Sequence, residues 1–321
     1  VLTAALMAFY LMPGLALLRL FWPVDRPLHP AARLGLAIGL SAALPPLLLL
    51  LVSTVGLGWG AIQTWGYLLT SAAIAVAPRG LPFQWRLADI RPRLTRLDSA
   101  TVALLIVFSA ALVIRFFIIR DLPAGLLGDS YHHTLMAQLL FDHGGLFQSW
   151  QPYAPLTTFT YHFGFHANVA LFSWLTGIDV IHSVLYIGQA LNAAIAPVVF
   201  TLTVTMLRAR PWAGVWAALV AVAVMTLPAQ YVIWGRYTQL TGQIVGVALL
   251  VCWAALSEPR ATGATPWRLI VLAALTGAAM MLTHYLVSIV IAVFLASFLL
   301  ADALARRDSR ATAAFAVRLL A

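Results

Sequence analysis

The chain predicts an all-α fold, a polytopic transmembrane helix bundle, and three observations carry that expectation. Hydrophobic residues fill 62% of its 321 positions and charged residues only 9%, with a mean hydropathy of +0.94. No soluble domain needs that much apolar surface. The apolar residues also form continuous runs of roughly 20, long enough to cross a hydrocarbon core as helices, without the alternating pattern of an outer-membrane barrel. Finally, the formal charge of +9 comes entirely from arginine, since lysine is absent. Such an excess sets orientation in a membrane, and no nucleic-acid partner is expected.

Apolar runs cover about 1–22, 34–53, 58–78, 99–119, 180–207, 212–228, 240–257, 268–283 and 285–304, and another begins near 311. The first lacks a basic leader and is followed by Pro23 and Asp25, so it reads as a span and not as a cleaved signal. The Pro45-Pro46 pair is expected to kink the second span. Residues 1–98 form an N-terminal three-span region, and its loop 79–98 carries Arg79, Arg86, Arg91, Arg93 and Arg96. That loop is placed in the cytoplasm by the positive-inside rule. Residues 99–321 form the core, whose loop 120–179 then falls outside. Because the sequence stops within an apolar segment, a longer protein is expected. Cys252, the single cysteine, lies within an apolar run and offers neither a disulfide nor a cysteine metal site.

The run from Phe163 to Gly177 has 15 residues, about 22 Å as a helix and short of a core of roughly 30 Å. It is therefore laid flat in the outer interface. Residues 268–304 then cross twice, with a tight reversal near Thr283, His284 and Tyr285. Under this topology sixteen of the nineteen arginines are inside or at inner ends, and Arg115, Arg120 and Arg236 are outside. Seven histidines lie outside and only His29 inside. Titratable groups are costly near lipid, so their gathering at one surface marks a site.

Within that surface, Gly128-Asp129-Ser130-Tyr131-His132-His133 opens a helix whose stripe of Tyr131, Leu135 and Leu139, widened by Met136 and Leu140, predicts an amphipathic interfacial helix. Asp129 or Ser130 is expected to cap it; alternatively, the Asp129 carboxylate faces a cavity as general base or metal ligand. His132 and His133 stand beside it as further catalytic candidates. His162 and His166, four residues apart, share one helical face and with Asp129 suit a divalent metal, although no HExxH is present. Otherwise they hydrogen-bond substrate hydroxyls or one another. Arg115 and Arg120 either snorkel to headgroups or, with Arg236, grip a lipid-linked phosphate. Tyr237, Gln239, Gln243, His284 and Tyr285 are expected to line the same cavity.

This layout resembles the first outer loop of GT-C glycosyltransferases: a span, a loop opening on an aspartate, an amphipathic helix, an aromatic and histidine-containing stretch, a second interfacial helix and another span. The residues that carry it are Asp129 in Gly-Asp-Ser-Tyr-His-His and the stretch Tyr161-His162-Phe163-Gly164-Phe165-His166 leading to Leu175-Thr176-Gly177. Leu11-Met12-Pro13-Gly14-Leu15 and the extra N-terminal spans look like those of bacterial and archaeal relatives. The resemblance covers about residues 99 to 257. It implies inverting transfer of a sugar from a polyprenyl-phosphate donor to an extracytoplasmic glycan, lipid or protein acceptor at the plasma membrane, with a carboxylate as base. Asp121 and Asp142 are the only near candidates for the second acid that often accompanies the loop aspartate, and the histidines exceed what the family needs. A transporter or flippase of a lipid-linked or anionic substrate, an interfacial metallohydrolase and a non-catalytic glycolipid-binding protein are the alternatives.

Overall fold

A computed structural model describes residues 2–23, 25–77, 97–207, 210–257 and 266–306, with side chains to 301. The basic stretch 79–96, Arg208, Arg260 and the run beyond 306 lie outside the described residues. Twelve helices are described: α1 Leu2–Phe21, α2 Pro30–Thr54, α3 Ala61–Val76, α4 Ser99–Ile119, α5 Gly128–His143, α6 Gly164–Thr176, α7 Val180–Met206, α8 Pro211–Leu219, α9 Thr226–Ile233, α10 Tyr237–Ser257, α11 Trp267–Thr283 and α12 Tyr285–Arg306. No strand occurs among the described residues. The protein is a multi-pass membrane protein. Five helices (α1, α2, α4, α7 and α10) are long and apolar enough to cross a membrane, and α8 with α9 makes a sixth unit, bent by 46°. A π-helical turn at Val220–Val224 lies at that bend, and the Asn192 side chain of α7 donates to the Pro228 carbonyl of α9. The helices α3, α11 and α12 are apolar but shorter over their described lengths.

The bundle has two distinct ends. At one, His29 lies 3.3 Å from Asp98, which caps α4 through the Thr101 amide, and Arg26 donates to the Ala255 carbonyl. At the other, the Trp59 amide donates to Gly144 O at 2.7 Å, the Leu146 amide to Ser53 Oγ at 2.9 Å and the Phe163 amide to Leu282 O at 2.8 Å. Seven of the eight histidines belong to this second end, which we call the histidine pole.

The reversal predicted at His284 is present, and its register can be read along α10. Gly246 faces both Met280 of α11 and Ile291 of α12, while Gly242 faces His284 and Val287 at the turn. Further along α10, Trp253 meets Phe298. So α11 approaches the histidine pole and α12 leaves it. By contrast, α2 runs through Pro45 and Pro46 as one helix, with both prolines buried inside it.

The two helices within residues 120–179 differ from expectation. The helix α6 is short, with 13 residues; it starts against Thr283 and ends with Ser173 bonded to Ser183 near the start of α7. However, it is enclosed by protein and not laid on a rim. Phe165, Ala167, Val169, Ala170, Leu171 and Phe172 are all fully buried. A helix apolar on every side is stable only inside a core. Asn168 ties it to α2 by donating to the Ala42 carbonyl at 3.0 Å. The buried face of α5 carries Ser130, His133, Met136, Ala137, Leu139 and Leu140, with Leu135 packed against the core, so most of the predicted stripe faces inward; Tyr131, predicted to belong to it, is 62% exposed, and His133 joins the buried face instead.

Close helix contacts depend on missing side chains. A Cβ at Gly14 of α1 would come 2.7 Å from Ala37 Cα of α2 and run into the Ala37 carbonyl, and the Gly14 amide donates to Ser41 Oγ at 2.7 Å. Gly14→Val should therefore lower stability by about 1–3 kcal/mol, the usual cost of overpacking. Thermal unfolding in detergent checks this, and an unchanged melting temperature would show that the two helices do not touch there.

Candidate functional site

Four histidines from three elements meet at the histidine pole. His133 projects from the inward face of α5 and His166 from the first turn of α6. His133 Nδ1 and His166 Nε2 share a hydrogen bond of 2.9 Å, with the rings 5% and 0% exposed respectively. His162, in the approach to α6, packs at 4.7 Å from His284 and 5.1 Å from Tyr285, both at the α11–α12 reversal. Tyr161 bridges the two halves, at 3.9 Å from His162 and 6.1 Å from both His133 and His166.

Beneath this cluster, Tyr237 is a packing hub and not a cavity wall. It is 1% exposed and stacks on Phe165 at 5.0 Å and 13°. Its hydroxyl lies 3.4 Å from Ser130 Oγ. The ring fits only because position 188 of α7 has no side chain: a Cβ there would come 2.6 Å from it. Likewise, Gly164 lets α6 start against Thr283, whose Cα would lie 2.7 Å from an added Cβ.

Burial keeps these imidazoles neutral, because desolvation disfavours the charged form and each neighbouring imidazolium would repel the next. Burial pushes His133 down to about 4, opposed by the Asp129 carboxylate and assisted by His132 and His284. Burial, then His284 and His133, push His162 down to about 3. His166 and His284 are lowered by the same main cause. Both ring nitrogens of His162 and Nδ1 of His166 are sealed from solvent without a hydrogen-bond partner.

Asp129 occupies the surface above the pair. The helix begins at Gly128 and Leu127 is its N-cap, without a side-chain bond. Asp129 and Ser130, expected as caps, therefore do not cap. Asp129 is exposed in the first turn, where the helix dipole favours a carboxylate. Its charge reaches both His133 and Tyr161. This first turn rests on Gly235, which adopts φ +75°; a Cβ there would come 2.9 Å from the Asp129 carbonyl carbon and collide with the Ser130 amide. The next residue, Arg236, is exposed with its guanidinium 5.1 Å over Trp234. Asp129 and Arg236 are thus held on touching backbone segments.

Other expected members stand apart or in lesser roles. Arg120 pairs with Asp121 at 3.2 Å and lies 4.0 Å over Phe117, and Arg115 is partly buried on α4. Neither has a recorded contact with the histidine cluster. Gln239 is half-buried on α10, and Gln243 donates to the Tyr231 hydroxyl at 3.0 Å. His132 is exposed beside His133. The metal set suggested by Asp129, His162 and His166 does not assemble: among the described residues no three His, Cys, Asp or Glu side chains are arranged to hold a metal ion. The reason is visible, since His166 Nε2 is already taken by His133 and His162 turns toward His284. Ser130, Phe165, Thr238, Gly188 and Gly235 complete the site without having been singled out as members from the sequence. A glycine-to-ring contact between α7 and α10 leaves no signal in either helix alone. Comparison with protein families, curated proteins and solved structures yields no match.

The cluster makes a pH prediction. An unfolded chain protonates histidine near about pH 6.5, whereas folded His133 resists to about 4 and His162 to about 3. The unfolded state therefore binds more protons in acid. Stability is whole above pH 6.5 and is lost as pH falls from there toward 4. The melting temperature should drop between pH 7 and pH 5, and H133Q/H166Q should flatten that dependence. A pH-independent melting temperature in the parent protein would contradict the buried neutral cluster.

Proposed function

We propose that the chain is a GT-C-type membrane glycosyltransferase of the plasma membrane, with the histidine pole on the extracytoplasmic face. It moves a sugar from a polyprenyl-phosphate donor to an extracytoplasmic glycan, lipid or protein acceptor, with inversion. Asp129 takes the proton from the acceptor hydroxyl as the new glycosidic bond forms, and the bond from the anomeric carbon to the phosphate oxygen breaks. The departing phosphate carries the negative charge, and Arg236 is suited to receive it bidentately.

One observation carries this reading: a solvent-exposed, non-capping carboxylate held on a backbone segment that touches that of an exposed arginine, at one pole of a membrane bundle. A base and a phosphate anchor within one backbone contact of each other are what such a transfer requires. An apolar cavity of about 340 Å3 between α1, α2, α4 and α7, lined by Leu6, Tyr10, Phe108, Leu112, Phe116 and Leu191 among others, offers space for hydrocarbon. The bent α8–α9 unit is the feature that favours the alternative, a flippase of a lipid-linked substrate, because transporters use broken helices. Against it, seven of the eight histidines gather at one pole of the bundle.

Asp129→Asn separates the two. Transfer of sugar from a polyprenyl-phosphate donor by purified protein should fall by roughly 10²-fold or more, the usual worth of a general base, while the melting temperature stays at the parent value. Full activity in the variant would reject Asp129 as the base, and transbilayer movement of the donor without transfer would favour the flippase.

A further inference from the structure

Arg236 stands at the end of a detached piece of helix. It follows α9, which has eight residues and is cut off from α8 by the π-helical turn at Val220–Val224 and by Met225, whose backbone is extended at φ −76° and ψ 133°. The two pieces meet at 46°. A helix of two turns has little stability of its own. Only Tyr231 and Val232 of α9 are buried, so apolar packing holds one short patch of it.

Two amide side chains from neighbouring spans supply the rest. Near the start of α9, buried Asn192 of α7 donates to the Pro228 carbonyl. Near its end, Gln243 of α10 donates through Nε2 to the Tyr231 hydroxyl at 3.0 Å. An amide inside a span is costly unless it is hydrogen-bonded, and both of these bond α9. Tyr231 passes the restraint on. Its carbonyl accepts the Arg236 amide at 2.7 Å, while the Trp234 amide bonds Gln230 O and the Tyr237 amide bonds Gly235 O, each at 2.8 Å. Position 236 is thus one backbone hydrogen bond from the residue that Gln243 holds. The same turn brings Gly235 against the first turn of α5.

We propose that Gln243 and Asn192 are positioning residues, which pin the detached α9 and, through the Tyr231 carbonyl, set Arg236 against Asp129. Neither amide touches a ligand in this arrangement; each acts through the backbone that carries the arginine. The proposal rests on the transferase reading only for what Arg236 binds, since the pinning is a matter of geometry.

Crosslinking tests the pinning without turnover. In the C252S background, D129C and R236C are linked by a short bifunctional thiol reagent in native membranes, and S53C with L146C reports a separate contact of the same pole. Q243L and Y231F should each slow the first link by roughly fivefold, the shift that one lost hydrogen bond of ordinary strength produces. Y231F/Q243L should slow it no more than either alone, because both remove the same bond. N192L should slow it as well. The S53C–L146C link should keep its parent rate throughout. An unchanged D129C–R236C rate in Q243L and Y231F, or an equal loss in both links, would overturn the positioning role. Y231F removes only a hydroxyl, so it keeps the test decisive if Q243L or N192L does not fold. The ligand is tested separately. Q243L should weaken binding of undecaprenyl phosphate when Arg236 is present and have no effect in Arg236→Ala. An equal loss in both backgrounds would overturn the action through Arg236. Full binding by Arg236→Ala itself would reject the phosphate anchor, while the crosslinks still decide the pinning.

Discussion

An imidazole taken out of water is held neutral, because burial penalises the charged form, and the histidine pole is arranged around that constraint. The bond between His133 and His166 joins α5 to α6, two helices of which neither spans the bundle. Neighbouring His162 and His284 extend the neutral cluster to the α11–α12 reversal. A polar cluster in so apolar a protein is costly unless it specifies something. Here it fixes which face of α5 turns inward and so leaves Asp129 on the outer side.

The long helices supply the frame for that arrangement. Tyr237, stacked on Phe165 and seated over Gly188, locks the first turn of α10 against α6 and α7. Gly235, one turn of chain earlier, allows α5 to begin against the 235–236 segment. The result is that the carboxylate of a loop helix and the guanidinium before a span are set together by backbone packing. Their proximity does not depend on a salt bridge, and both side chains remain exposed for a ligand.

Much of this was legible in the sequence, for reasons that differ by element. Spans such as α4, α7 and α10 follow from uninterrupted apolar runs, and the reversal at His284 follows from the length of 268–304. The 163–177 run forms the short helix α6, but its largely apolar character was taken for a position in the interface when it signals burial within the protein. The leucines and Met136 of the predicted α5 stripe do face inward, but periodicity counts a histidine as polar, so His133 was left off that face and Tyr131 was put on it. The start of α5 at Gly128 was obscured by Asp129 and Ser130, good capping residues that the structure does not use as caps. The hub formed by Gly188, Phe165 and Tyr237 depends on contacts between residues tens of positions apart, for which a single sequence has no marker.

The account stands or falls on whether the start of α5 and the start of α10 touch at the histidine pole. Paired cysteines test this most directly: D129C with R236C, with Cys252→Ser to remove the native thiol, treated with a short bifunctional thiol reagent in native membranes. Efficient intramolecular crosslinking is expected, with none when D129C is paired with R268C at the opposite end. Failure of D129C and R236C to link, while each cysteine alone reacts freely with a monofunctional reagent, would contradict the site.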